Sequence, residues 1–196
     1  MRSNQIVLMV SLVLTVALLR LSVVDIVYVQ SNSMRPLISK GDRLFIHQSA
    51  YSLRLPWRTT PLMTWDIPNR GDIVVFDNPH DDDQLPWLKR VIGLPGDKLH
   101  FHNHQLYLNG EVISGFDNSN VEIIPSSSDS QGRYRIWSSY LEEDWGPITV
   151  PRNSLFLLGD HRSASTDSRV WGTIPLYRLR GKASFRVWPW KRISLY

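Results

Sequence analysis

The first 24 residues carry a long apolar run. Ile6–Leu19 contains no charged residue, and continuing past Arg20 to Val24 gives a helix of roughly 28 Å, close to the ~30 Å hydrocarbon core of a bilayer. The stem of Arg20 is long enough to place its charge among the headgroups. The pattern predicts one transmembrane anchor over residues 6–24, after a short cytoplasmic start at residues 1–5. The alternative is the apolar region of a cleaved secretory signal, although no Ala-x-Ala-like site follows.

After residue 25 the apolar positions follow the spacing of β-strands. Ile26–Val29 is β-branched and aromatic, and Asn109-Gly110 within Leu106–Ile113 supplies a type I′ hairpin turn. Three more strand-like runs follow Gly-Asp pairs, namely Arg43–His47, Ile73–Phe76 and Lys98–Phe101. Two stretches rich in turn-forming and polar residues are predicted to be loops, Ser49–Asn69 and Asn118–Ser130.

These elements predict a mostly β fold preceded by one N-terminal transmembrane helix. Antiparallel sheets would form a sandwich- or barrel-like domain over residues 25–196, with a small insertion at about 99–155. A chain of 196 residues is long enough for one such domain with a real core.

Composition narrows the chemistry that the chain can perform. The absence of cysteine excludes disulfides, thiolate metal sites and cysteine nucleophiles. A net charge of +4 suits an anionic membrane surface or nucleic acid. The basic residues are scattered rather than clustered, so we predict no nucleic-acid partner.

Two stretches contain candidate catalytic groups. Ser33 lies in the polar loop Gln30–Pro36, and a serine hydroxyl needs a base before it becomes a good nucleophile. Lys89 lies in the strand-like run Leu85–Gly93, where alternation would place it on one face with Trp87 and Val91. Burial on an apolar face would lower the pKa of Lys89 and leave a neutral amine as the base. The alternatives are an ordinary turn, and a lysine that reaches solvent or pairs with a carboxylate.

A third stretch, Leu157–Gly172, is dense in hydroxyls, carboxylates and arginines directly after an apolar run. Its carboxylates Asp160 and Asp167 can pair with Arg162, Arg169 or Arg90. Such pairing would brace a site formed by the other two stretches.

Four blocks in this order resemble those of bacterial type I signal peptidase, the membrane-bound Ser–Lys leader peptidase. The blocks are Ser31–Pro36 followed by Gly41-Asp42, Arg70–Phe76, Lys89–Asp97, and Gly159–Gly172. Arg20 and Asp25 also fall where that family has a basic and an acidic residue. The resemblance extends from about Arg20 to Gly181, but no motif covers Leu99–Leu155.

The resemblance implies a role for each matching residue. Ser33 would attack the scissile carbonyl, with Lys89 as general base and then acid. The Ser33 N–H and the Ser31 hydroxyl would form the oxyanion hole, and the Ser165 hydroxyl would orient the Lys89 amine. The supporting ion pairs would involve Arg90, Asp160, Asp167 and Arg169, and the walls of the substrate pockets would be Val29, Met34, Ile38 and Leu88.

The same resemblance implies an endopeptidase that removes signal peptides from exported preproteins at Ala-x-Ala-type sites. The substrate would lie as a strand against the edge that carries Lys89. We expect no metal or other cofactor, a bilayer as partner, and a catalytic domain on the extracytoplasmic side of the cell membrane. The chain departs from the family pattern at Gln30, Asn32, His161 and Ser163, which bears on substrate range.

The sequence is also compatible with two other functions. One is a peptidase dedicated to a pilin or conjugation subunit, or a self-cleaving regulator, although no DNA-binding helix-turn-helix precedes Ser33. Another is an inactive, membrane-tethered β module that binds partners.

Three other patterns have a plain alternative to a functional reading. His100, His102 and His104 could ligate a metal or form a solvated strand face, and Asp81–Asp83 could be a calcium site or a solvated loop. Trp188-Pro189-Trp190 could contact a bilayer interface or close the core.

Overall fold

The computed structural model describes residues 4–12, 23–55, 58, 60–78, 85–103, 105–113, 115–116, 121–125, 133–137 and 143–196. Residues 4–12 are helical (α1), and a second helix, α2, spans Ser168–Trp171. Within these ranges, none of the helices combines the length and apolar character needed to cross a membrane. Residues 13–22 of the predicted 6–24 anchor lie outside the described residues, and Val24 already begins the first strand.

The described chain is mostly β, and every strand pairing is antiparallel. In chain order the strands are β1 (Val24–Tyr28), β2 (Arg43–His47), β3 (Ser52–Leu53), β4 (Met63–Thr64), β5 (Ile73–Asp77), β6 (Pro86–Gly93), β7 (Lys98–His102), β8 (Gln105–Leu108), β9 (Glu111–Val112), β10 (Gly115–Phe116), β11 (Val121–Pro125), β12 (Arg133–Trp137), β13 (Trp145–Thr149), β14 (Ser154–Leu158), β15 (Ile174–Pro175), β16 (Leu179–Trp188) and β17 (Ser194–Leu195).

The main sheet has the order β1-β2-β16-β5-β6-β14-β15, with β17 also paired to β16. Between β6 and β14 the chain builds a separate sheet, β13-β7-β8-β9, and a three-stranded sheet, β10-β11-β12. Strands β3 and β4 form a two-stranded sheet of their own. The predicted insertion therefore corresponds to two small sheets that the chain builds between two paired strands of the main sheet.

Three apolar clusters hold these sheets together. One joins the loop that carries Ser33, between β1 and β2, to the main sheet and includes Met34, Ile38, Leu44, Ile73 and Val75. A second lies around Val74, Phe76, Val91, Leu155 and Leu157. The third packs β7 and β8 against β6 and β14 through Ile92, Leu99, Phe101, Leu106 and Phe156. Because β5 alternates Ile73 and Val75 with Val74 and Phe76, it contributes to a different cluster on each face.

Several sequence predictions are confirmed at the level of elements. The bounds of β2 are those predicted, and β5 and β7 each extend one residue further than expected. In the β8–β9 hairpin, Asn109 and Gly110 have φ angles of 54° and 91°, the positive values that a type I′ turn needs.

Two loop predictions were wrong in part. The short β3–β4 pair lies within the segment Ser49–Asn69, and β11 occupies the centre of Asn118–Ser130. The run Val121–Ile124 is rich in β-branched residues, which favour a strand, whereas the serines that follow it favour a loop. Asp81–Asp83 and His104 lie outside the described residues.

Candidate active site

Ser33 lies in a loop that closes between β1 and β2. The Val29 N–H donates to the Asp42 carbonyl at 2.9 Å, and the Gly41 N–H donates to the Val29 carbonyl at 2.9 Å. Within the loop, the Asn32 amide oxygen accepts a hydrogen bond from the Lys40 N–H at 3.1 Å. Asn32 therefore ties the two sides of the loop together, although it departs from the family pattern.

The loop brings the Ser33 hydroxyl to the Lys89 amine. Lys89 Nζ donates a hydrogen bond to Ser33 Oγ at 2.8 Å, across 56 residues of sequence. Ser33 is 6% exposed and Lys89 is 3% exposed. The two groups are thus in hydrogen-bond reach of each other and shielded from bulk water, which is the geometry that a serine and its base require.

Burial changes the proton affinity of the lysine. It lowers the pKa of Lys89 to about 8, because the charged amine loses hydration, while the carboxylates of Asp167 and Asp160 act in the opposite direction. On β6, Lys89 is the register partner of Val74, and its Nζ lies 5.3 Å from the centroid of the Trp87 ring. Apolar neighbours on this face therefore account for the lowered pKa of the Lys89 amine.

The Ser31 hydroxyl lies beside the candidate nucleophile, with its Oγ 3.1 Å from Ser33 Oγ. Within the part of the chain that the structure describes, no backbone hydrogen bond uses the Ser33 N–H. Both predicted oxyanion donors therefore stand next to the Ser33 oxygen.

Gly159 lets the terminal block approach the nucleophile. A Cβ atom at Gly159 would lie 2.1 Å from Ser165 Oγ and 2.6 Å from the Ser33 carbonyl oxygen. The His161 N–H donates to that same carbonyl at 2.9 Å. Only a residue without a side chain fits between these groups, a close approach at Gly159 that the spacing of polar residues did not reveal.

Ser165 is close to this site, but the predicted hydrogen bond to Lys89 is not formed. Its Oγ is buried, and among the described residues it has no hydrogen-bond partner. The Lys89-orienting role of Ser165 therefore stays a prediction.

Two buried ion pairs surround the serine and the lysine. Arg90 Nε and Nη2 donate to the two carboxylate oxygens of Asp160 at 2.7 and 2.6 Å, and Arg90 Nη1 donates to the Gly71 carbonyl at 2.8 Å. Arg169 Nε and Nη2 donate to the two oxygens of Asp167 at 2.8 and 2.9 Å.

These pairs fix the backbone next to the site as well as each other. Asp167 Oδ2 also accepts from the Gly159 N–H at 3.0 Å. Arg90 follows Lys89 on β6, and Asp160 follows Gly159, so their ion pair joins these two parts of the site. This ion pair therefore links β6 to the chain segment that directly follows β14.

The four residues predicted to form substrate pockets belong to a single apolar cluster. Met34 and Ile38 are almost completely buried, Val29 is 6% exposed, and Leu88 is partly buried. The structure thus brings these residues together, with Leu88 as the member most open to solvent.

One side of β6 is open next to Lys89. Strand β5 pairs with residues 86–90 on one side, whereas on the other side β14 pairs only with Arg90, Val91 and Gly93. Among the described strands, none pairs with Pro86–Lys89 on that second side. Unpaired backbone groups there can accept an added strand.

The histidine-rich strand is separate from this site. His100 stacks on Tyr107 with ring centroids 4.4 Å apart, and His102 Nδ1 lies 2.6 Å from an Asp144 carboxylate oxygen. Among the described residues, no group of three or more His, Cys, Asp or Glu side chains is arranged to hold a metal.

At the other end of the chain, Trp188 and Trp190 are 44% and 68% exposed, so they do not close a core.

The shielded Ser33 Oγ lies 2.8 Å from Nζ of Lys89, whose pKa is lowered. This geometry defines the site as a candidate Ser–Lys hydrolase centre. Comparison with known proteins agrees with this class. The family described as "Signal peptidase, peptidase S26" matches residues 2–188.

Two curated relatives show the same family. A protein named probable signal peptidase I-2 from Synechocystis is 32% identical over 192 residues, covering 95% of this chain and 73% of the relative. Signal peptidase I from Bacillus caldolyticus is 33% identical over 182 residues, covering 93% of this chain and 89% of the relative. A crystal structure of signal peptidase I from Enterococcus faecalis matches with 27% identity and a TM-score of 0.44, covering 62% of this chain and 100% of that chain. The chain belongs to the signal peptidase family, peptidase S26.

Proposed function

We propose that this chain is a serine endopeptidase that removes N-terminal signal peptides from exported preproteins. Family membership makes the chain a hydrolase of the signal peptidase type. The observation that carries the mechanism is the 2.8 Å hydrogen bond between Lys89 Nζ and Ser33 Oγ in a buried setting. An inactive binding module would have no reason to keep a desolvated lysine against a serine, since burying an amine costs free energy.

The reaction runs through an acyl-enzyme. The neutral Lys89 amine takes the proton of the Ser33 hydroxyl while Oγ attacks the scissile carbonyl, and the resulting ammonium gives that proton to the leaving amine. A water molecule then attacks the ester, again with Lys89 as base, and Ser33 is regenerated. The negative oxygen of each tetrahedral intermediate would accept hydrogen bonds from the Ser33 N–H and the Ser31 hydroxyl. Ser165 would fix the direction of the amine once substrate has closed the site.

The open side of β6 supports an extended substrate. A preprotein segment would pair with the backbone of Pro86–Lys89, which brings its scissile carbonyl to Ser33. Alternate side chains of that strand would point toward the cluster that contains Val29, Met34, Ile38 and Leu88. Met34 and Ile38 are almost completely buried in this cluster. We propose that its walls admit small side chains, as at Ala-x-Ala-type sites.

We also propose a bilayer as partner, with a single anchor that ends before β1 begins at Val24, and a sandwich- or barrel-like peptidase domain after it on the extracytoplasmic side. In support, residues 4–12 are helical, and Leu8 and Met9 are 67% and 68% exposed. Such an apolar surface is stable in lipid rather than in water. Resistance of the full chain to alkaline extraction from membranes, together with protease access to the β domain from the outer side only, tests this placement.

The test of the mechanism is replacement of each partner. Ser33→Ala and Lys89→Met should each lower the rate of preprotein cleavage in detergent or liposomes by at least about 1,000-fold, since the nucleophile and its base act as a unit. Matched controls are Thr60→Ala, which removes an exposed hydroxyl between β3 and β4, and Lys98→Met, which removes an exposed amine at the start of β7. Both controls should cleave at the wild-type rate. Unchanged cleavage by either active-site variant would end the assignment.

The second candidate function is a peptidase dedicated to one class of precursor. It is favoured by Asn32, which stands where the family pattern has glycine and which ties the loop to Lys40. A panel of exported precursors, with pilin and conjugation subunits among them, separates general from dedicated processing. Cleavage of only one precursor class would favour the dedicated role.

A further inference from the structure

Arg186 of β16 reaches the nucleophile loop from a distant part of the sequence. Its side chain is buried, with 4% of the residue exposed. Nη2 donates hydrogen bonds to the Leu37 carbonyl and, at 2.6 Å, to the Tyr196 hydroxyl. Nε lies 3.2 Å from Asp42 Oδ2, an ion-pair distance at which the N–H is not aligned for a hydrogen bond. One guanidinium therefore contacts both the carbonyl and the carboxylate of the loop.

Asp42 is itself part of the closure of that loop. Its Oδ2 accepts from the Ser39 N–H at 2.9 Å, and its own N–H donates to the Ser39 carbonyl at 3.1 Å. Its carbonyl accepts from the Val29 N–H on the opposite side of the loop. A carboxylate with these bonds has a fixed position, so the attached guanidinium is fixed as well.

A short chain of hydrogen bonds leads from Arg186 to the nucleophile. Leu37 precedes Ile38, whose N–H donates to the Met34 carbonyl at 2.9 Å, and Met34 follows Ser33 directly. On its other side, the Ser33 carbonyl is held by the His161 N–H. The nucleophile turn is thus fixed at one end by the terminal block and at the other end by Arg186.

We propose that Arg186 is a positioning residue that holds the Ser33 turn against Lys89 through the Leu37 carbonyl and the Asp42 carboxylate. The planar guanidinium can satisfy both acceptors at once in fixed geometry, which a lysine ammonium on a flexible stem cannot. The proposal rests on the peptidase function above, and it assigns Arg186 no contact with substrate.

The main test is the double variant Arg186→Met/Asp42→Asn, which removes the guanidinium without leaving a buried carboxylate charge. We expect kcat to fall by about 10- to 100-fold, because a displacement of the nucleophile by ~1 Å has an effect of this size. The pH profile should keep its shape, since Lys89 is not altered, and the loss in kcat should exceed any change in KM, because Arg186 itself contacts no substrate. The control is Arg180→Met, a change on the same strand as Arg186. It removes the ion pair between Arg180 and Asp77 of β5 and should leave kcat unchanged.

A purely structural role would lower thermal stability but leave kcat of the folded protein at the wild-type value, and that result overturns the proposal. If the double variant does not fold, Arg186→Lys decides the question, because it keeps the charge near Asp42 but cannot also fix the Leu37 carbonyl. It should lower kcat by about tenfold, and wild-type kcat in this variant likewise overturns the proposal. Failure of the proposed function is a separate outcome, in which the wild-type protein cleaves no precursor.

Discussion

At the scale of single residues, the burial of Lys89 has two opposite effects. It lowers the pKa of the amine to about 8, which makes a base available near neutral pH. It also destabilises the folded chain wherever the amine is charged, because hydration is lost. Activity and stability should therefore both depend on pH through this one group.

The rate of cleavage should rise with pH. Only the neutral amine can accept the Ser33 proton, so kcat/KM for a peptide substrate should increase about tenfold per pH unit below an apparent pKa near 8 and level off above it. The measurement is a pH profile from 6 to 10 with wild-type protein. A profile that is flat across this range would contradict Lys89 as the base.

Replacing Lys89 by methionine should stabilise the protein below pH 8. The pKa is about 8 when folded and 10.5 in the reference state, so between these values the unfolded chain binds more protons and wild-type stability rises with pH. At about 1.4 kcal/mol per pKa unit, the variant should gain about 2–3 kcal/mol at pH 7, after some loss from the broken Ser33 bond. Urea denaturation at several pH values should show this advantage shrinking toward pH 10.5. An advantage that does not change with pH would contradict the linkage.

At the scale of elements, the regular strands were predictable, but the approach of one backbone to another was not. The bounds of β2 and the β8–β9 hairpin follow from alternation and from Asn109-Gly110, which are local signals. The pairing of Ser33 with Lys89 followed from a resemblance of blocks rather than from periodicity. The need for Gly159 and the reach of Arg186 to Leu37 depend on tertiary contacts that no local pattern encodes.

Gly159→Ala, directly after β14, should lower the cleavage rate by more than its loss of stability accounts for. The added methyl would overlap Ser165 and the Ser33 carbonyl, so the turn must move away from Lys89. We expect kcat to fall by at least about tenfold, with about 1–3 kcal/mol of lost stability.

The matched control is Gly93→Ala on β6. Its methyl would overlap Leu99 and Phe156 in the core and leave Ser33 untouched. Enzyme kinetics on the folded fraction, combined with thermal melts, separates the two variants. Equal kcat values for both would show that Gly159 has no specific role at the site.

At the scale of the whole molecule, one buried ion pair connects distant parts of the chain. Arg90 and Asp160 are 70 residues apart in sequence, and they link β6 to the terminal block beside Ser165 and His161. The two residues that follow Arg90 on β6 belong to different apolar clusters, Val91 to one and Ile92 to another, and side chains in such interiors are closely packed.

Asp160→Asn should therefore destabilise the entire domain. It leaves the Arg90 charge buried with a weakened partner, and breaking such a pair costs about 3–5 kcal/mol. The comparison variant is Asp144→Asn, which weakens the exposed pair with His102 and should cost less than about 1 kcal/mol. Urea denaturation of both proteins gives the two values. A similar small loss for both would show that water reaches the Arg90–Asp160 pair.

The pairing of Gly93 with Phe156 has a consequence for the architecture of the chain. The polypeptide leaves the main sheet at the end of β6 and returns to it at the adjacent β14. The segment between them is therefore an insertion whose two ends lie side by side in one sheet. The length and sequence of such an insertion can change while β6 and β14 stay paired. The sheet β10-β11-β12 belongs to this segment, so a new recognition module could be grafted there while β6 and β14 keep their pairing.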